Sequence, residues 1–146
     1  MKRTMTALVA LLLILCTGIP AHAQGIEWET LNDEVMSLHK QGRYDRAIVV
    51  AKKALQVAEE AVGPDHPSVA TSLNNLAFLY DAQGQYAQAE PLFKRSLAIR
   101  EKALGPDHPS VATTLENMAL LYRKTGREKA AEEREKRAAV IRAIKR

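Results

Sequence analysis

The chain has 146 residues, 47% of them hydrophobic and 26% charged, with a formal net charge of +4. That length allows one ordinary domain, and a slight positive charge gives no argument for an anionic partner. A single cysteine, Cys16, excludes a disulfide framework.

Lys2 and Arg3 precede an apolar run from Ala7 to Cys16, followed by Gly18, Pro20 and Ala21-His22-Ala23. A basic start, a short apolar stretch and a small-x-small end are the parts of a secretory signal peptide, so residues 1–23 are expected to be removed. The run is shorter than the roughly 20 residues that span a bilayer. A lipoprotein anchored at Cys16 is the weaker alternative, because bulky Leu15 stands where a small residue belongs. The expected product is an exported domain over residues 24–146, periplasmic or secreted, with no transmembrane segment. Loss of Lys2 and Arg3 lowers its net charge from +4 to +2.

The next elements are copies of one another. Gly63-Pro64-Asp65-His66-Pro67-Ser68-Val69-Ala70-Thr71 recurs unchanged from Gly105 to Thr113, and Gln41-Gly42, Tyr44, Ala47 and Lys52 have counterparts at Gln83-Gly84, Tyr86, Ala89 and Lys94. A constant spacing of this length marks a solenoid, whose units bury their apolar faces only against neighbours. Three units follow, about 28–69, 70–111 and 112–146, each reading as two helices. In the middle unit Leu73, Leu76, Ala77 and Tyr80 form the apolar stripe of a first helix. Gly84 ends it, and Ala89, Leu92, Phe93 and Leu97 carry a second helix to Gly105. The Gly-Pro-Asp-His-Pro-Ser segment reads as stop, turn and start: Asp65 or His66 caps the next helix, and Pro67 takes its first position. Pro91 lies a turn or so inside its helix, which predicts a kink or a displaced first turn.

Arg134 and Glu135 replace Leu92 and Phe93 in the last unit, which predicts a polar cap, supported by Glu132–Lys136 and Glu133–Arg137 pairs. At the other end Ile26 and Trp28 are expected to cover the first helix pair; left exposed, they would favour dimerisation.

The spacing, residue sizes and turn residues together resemble the tetratricopeptide repeat, in the 42-residue form of kinesin light chain and many bacterial repeat proteins. Leu73, Leu76, Ala77 and Tyr80, then Ala89, Phe93 and Ser96, stand at the family's large and small positions. The resemblance implies an all-α, right-handed α-solenoid of about three antiparallel helix pairs. It also implies a concave groove lined by the first helix of each unit. The positions that face such a groove are Glu29, Asn32, Asp33, Met36 and His39; Thr71, Asn74, Asn75, Phe78 and Asp81; and Thr113, Glu116, Asn117, Leu120 and Arg123.

Mid-helix Asn75 and Asn117 can both donate to and accept from an extended peptide, as groove asparagines do in related repeat proteins, or bond within the array. Met36, Phe78 and Leu120 supply an apolar floor, and Arg123 with Lys124 a positive end that would favour an acidic ligand. The function expected is a non-catalytic scaffold that binds a peptide segment or an envelope protein. Self-association is the first alternative. The second is an anionic surface meeting a basic ridge of Lys52-Lys53, Lys94-Arg95 and Lys136-Arg137; nucleic acid is disfavoured, because no aromatic residues interleave with the ridge. No nucleophile constellation, phosphate loop or metal-ligand spacing is present, and Asp65-His66 with Asp107-His108 read as caps, so no cofactor, metal or catalytic residue is expected.

Overall fold

The computed structural model describes residues 21–144, and the apolar run of the expected signal peptide lies outside them. Six helices follow in order: α1 (Ala21–Lys40), α2 (Tyr44–Val62), α3 (Pro67–Ala82), α4 (Tyr86–Leu104), α5 (Pro109–Lys124) and α6 (Glu128–Ile144). The described residues contain no strand. Each helix packs most extensively on its hairpin partner (α1 on α2, α3 on α4, α5 on α6) and less on the next pair. Three antiparallel pairs thus stack as a solenoid.

Each hairpin closes the same way. Gly84 has φ +73°, its N–H donates to the Asp81 carbonyl at 3.0 Å, and the Gln85 N–H donates to that of Tyr80 at 2.8 Å. Those two bonds satisfy the last carbonyls of α3 and require the left-handed conformation that glycine adopts freely. Gly42 and Gly126 repeat the pattern. Between units, the His66 Nδ1 accepts from the Ser68 N–H at 3.2 Å and the His108 Nδ1 from the Ser110 N–H at 3.1 Å. Of Asp65 and His66, it is therefore the histidine that caps, with its ring proton on Nε2.

The displaced first turn expected from Pro91 does not occur. α4 begins at Tyr86, matching Tyr44 of α2, and continues through Pro91. The proline lies on an exposed face, where the one backbone bond it cannot make is left to solvent.

The core is a chain of linked clusters. Val35, Leu38, Ala47, Ala51, Leu76 and Leu79 join the first pair to the second. Ala77, Ala89, Phe93, Met118, Ala119 and Tyr122 join the second to the third. Alanines with no exposed surface let the backbones approach, and the fully buried Phe93 fills the gap beyond them. Ser96, also fully buried, donates to the Ala70 carbonyl at 2.7 Å.

At the N-terminal end Trp28 is half-buried against the cluster of Ala58, Val69 and Leu73, and its Nε1 donates to Ser72 Oγ at 2.7 Å. Ile26 does not share this role and is 53% exposed.

The C-terminal pair ends in charge. Arg123 donates to both oxygens of Glu135 at 2.9 and 2.8 Å, and Arg142 to both oxygens of Glu116 at 3.1 and 3.0 Å. The expected Glu133–Arg137 pair does not form, because Arg137 reaches back to Glu101 of α4, and Glu132 and Lys136 do not pair either. Arg100, at the position equivalent to Arg142, instead reaches forward. Its Nη1 donates to the Ser110 carbonyl at 2.9 Å and to Thr114 Oγ1 at 2.7 Å. The same position thus joins one unit to the next at Arg100 and folds back onto its own pair at Arg142.

Candidate functional site

The first helices α1, α3 and α5 lie side by side and touch in sequence. Side chains at i, i+4, i+7 and i+11 share one helix face, and on these helices they align into four rows. The rows are Glu29, Thr71, Thr113; Asp33, Asn75, Asn117; Met36, Phe78, Leu120; and Lys40, Ala82, Lys124. The third row is apolar yet open: Met36 is 47%, Phe78 38% and Leu120 53% exposed. Isolated exposed apolar residues are ordinary, but three at the same position of successive units form a strip. His39 packs on Phe78 at a tilt of 59° with ring centroids 5.1 Å apart and meets Tyr44 edge-on at 5.6 Å, which holds the phenyl ring in place.

Several of the other expected groove residues turn toward neighbouring helices. Asn74 and Asp81 are buried, so neither lies on the open face. Asn75 Nδ2 donates to Asn32 Oδ1 at 3.1 Å and Asn117 Nδ2 to Asn74 Oδ1 at 3.2 Å, while Asn32 Nδ2 donates to the Trp28 carbonyl at 2.8 Å. Successive first helices are thus cross-braced by an amide ladder. Each of Asn75 and Asn117 spends one N–H on it and keeps an Oδ1 acceptor for another use. Glu116 is held by Arg142, and Thr113 accepts from the same guanidinium at 3.0 Å.

The expected positive end of the groove is neutralised. Arg123 is bound by Glu128 and Glu135, and Lys124 pairs with Asp81. By contrast Glu29 and Asp33 are exposed and have no ionic partner among the described residues, and Lys40 is likewise unpaired. Helix spacing alone could not show this, since it locates a side chain without naming the partner it meets.

The expected basic ridge is also largely spent. Arg95 binds Glu59 at 2.7 Å and the Pro64 carbonyl at 3.3 Å, and Arg137 makes the same two contacts one unit later with Glu101 and Pro106. Lys53 pairs with Glu27 at 3.1 Å and Lys94 with Glu90 at 2.8 Å. Arg95, Arg137 and Lys53 join the second helices to their neighbours and Lys94 is paired within its own helix, which leaves little free charge for an anionic surface.

Glu90 is a junction that the sequence reading missed. It takes Arg127 at 2.8 Å and Lys94 at 2.8 Å and accepts from the Tyr122 hydroxyl at 3.3 Å. The Arg127 guanidinium and then the Lys94 ammonium hold its carboxyl at about 2, below the ordinary 4.5. A carboxylate whose folded value is depressed stabilises the fold above its unfolded value, and that contribution is lost as the pH falls from about 4.5 toward 2. Glu90→Gln is therefore expected to cost up to about 1 kcal/mol at neutral pH, the scale of a partly exposed ion pair. Acid titrations of unfolding should show a shallower loss of stability below pH 4.5 in the variant than in the parent.

Among the described residues no group of three His, Cys, Asp or Glu could hold a metal ion, and no helix is long and apolar enough to cross a membrane. The histidines of the two Asp-His pairs spend their Nδ1 atoms as caps.

A family model described as the tetratricopeptide repeat matches residues 29–102 and 74–142. The fold is similar to the crystal structure of BtubC (BKLC) from P. vanneervenii, with 25% identity and a TM-score of 0.73 over 83% of this chain and 46% of that one. It is also similar to a Podosopora anserina protein described as a kinesin light chain with nearly identical TPR-like repeats. There the identity is 24% and the TM-score 0.72, over 79% of this chain and 55% of that one. The chain thus spans about half the length of these two solved structures.

Proposed function

We propose, because the chain belongs to the tetratricopeptide repeat family, that it is a non-catalytic scaffold holding a segment of another protein across α1, α3 and α5. Repeats of this family generally mediate protein–protein interaction. The observation that carries the reading here is the exposed row of Met36, Phe78 and Leu120, one residue from each unit. An apolar strip with spare amide acceptors beside it suits an amphipathic segment. The same proposal makes residues 1–23 a cleaved export signal and puts the domain at the cell envelope or beyond.

Phe78→Glu with Leu120→Glu tests the strip directly. Both positions are exposed, so the fold should persist with unchanged helical circular dichroism. Capture of a partner from envelope extracts should fall by at least about tenfold, a loss of roughly 1.4 kcal/mol. Undiminished capture by a folded variant would place the interaction elsewhere, and concentration-dependent sizing would then test self-association. Asn75→Ala with Asn117→Ala is a poorer probe, because it also removes the ladder that braces the helices.

A further inference from the structure

We infer that the segment bound across α1, α3 and α5 is a basic amphipathic helix. On this reading its apolar stripe lies on Met36, Phe78 and Leu120, and its Lys or Arg residues point toward Glu29 and Asp33. The inference rests on the scaffold reading above and adds the chemistry of the partner.

Charge complementarity carries it. At the α5 end the charges along the face are internally matched: Arg123 by Glu128 and Glu135, Lys124 by Asp81, Glu116 by Arg142. α3 contributes Thr71, Asn75, Phe78 and Ala82, all neutral. What remains free is on α1, where Glu29, Asp33 and Met36 share one stripe and Lys40 lies beyond Met36 on the opposite side. The unspent negative charge thus flanks the apolar row on the side of the helix N-termini. An acidic ligand would meet repulsion from both carboxylates there and find Lys40 as the one unpaired cation of these rows at the other end, among the described residues. Two carboxylates beside an apolar strip favour a cation that brings its own apolar neighbours, and they speed its encounter.

Helix axes packed about 8–10 Å apart put α1 and α5 about 20 Å apart, the length of a four-turn helix at about 1.5 Å per residue. A partner helix of that size presents one apolar residue to each unit. The Met36 thioether and the open Leu120 accommodate side chains of differing shape, while Phe78, backed by His39, gives a fixed surface between them.

Three synthetic four-turn peptides with the same leucine stripe, differing only in Lys, Ser or Glu along one flank, test this by fluorescence anisotropy with the full chain. The Lys peptide should bind at least about fivefold more tightly than the Ser peptide, and the Glu peptide most weakly. The Lys advantage should shrink in high salt and vanish in Glu29→Gln with Asp33→Asn. Equal binding of all three peptides, or a Lys advantage that survives in that variant, would overturn the inference and leave the scaffold reading standing. The scaffold reading fails separately if Phe78→Glu with Leu120→Glu still binds the Ser peptide at full strength. No binding of any of the three would count against both.

Discussion

Phe93→Ala should lower the unfolding free energy by about 3–5 kcal/mol, the cost of emptying a buried aromatic site. Phe93 is 1% exposed and packs with Ala77 and Ala89 of its own unit and with Met118, Ala119 and Tyr122 of the next. The small residues cannot spread into the space, since their backbones already define the helix spacing. A domain of this size has about 5–15 kcal/mol in total, so the loss removes a large share of it. Because Phe93 lies between the second and third pairs, the third pair should separate first. Urea titrations followed by helical circular dichroism should show a lower midpoint and a transition broadened by early melting of α5 and α6. Loss of less than about 1 kcal/mol would show that the alanine contacts, and not the ring, hold the two units together.

Arg100 should give opposite results with two substitutions. Its guanidinium is buried, has no carboxylate partner among the described residues, and is held only by the Ser110 carbonyl and the Thr114 hydroxyl. Burial alone pulls its pKa down, which shows that the site disfavours the charge. Arg100→Ala removes the donor and opens a cavity, and is expected to cost about 2–4 kcal/mol. Arg100→Met keeps most of the volume without the charge and should stay within about 1 kcal/mol of the parent, or exceed it, as replacement of buried ions by apolar groups of similar shape often does. Denaturation midpoints of both variants decide the matter. An equal loss in the two would mean that the hydrogen bonds outweigh the desolvation.

The architecture was legible because it is local and repeated. The Gly-Pro-Asp-His-Pro segment announces its own turn, Leu73, Leu76, Ala77 and Tyr80 announce a helical stripe, and two copies exclude coincidence. The open row was legible for the same reason: Met36, Phe78 and Leu120 follow from counting along equivalent helices. Electrostatics was not legible. Arg95 and Arg137 read as part of a free ridge because Glu59 and Glu101 lie on other helices, and only packing brings them within reach; the Lys94–Glu90 pair, at i,i+4 on one helix, was open to counting and was missed. Arg123 read as a binding residue until Glu128 and Glu135 of the next helix took it. Asn75 divides between the two cases. Its place on the face was predictable, whereas its bond to Asn32 depends on how closely α1 and α3 approach.

The amide ladder and the Arg95 and Arg137 contacts occupy opposite sides of the stack. An array braced along both margins is expected to be stiff. On the proposed function, the face that receives a partner has its final shape before anything arrives. A helix docked as proposed would lose its own freedom while the scaffold lost almost none, which would favour tight holding by a short row of contacts. On that proposal, selectivity would come from which side chains fit the fixed row and not from any closing motion. Unbound and occupied forms should therefore superpose closely.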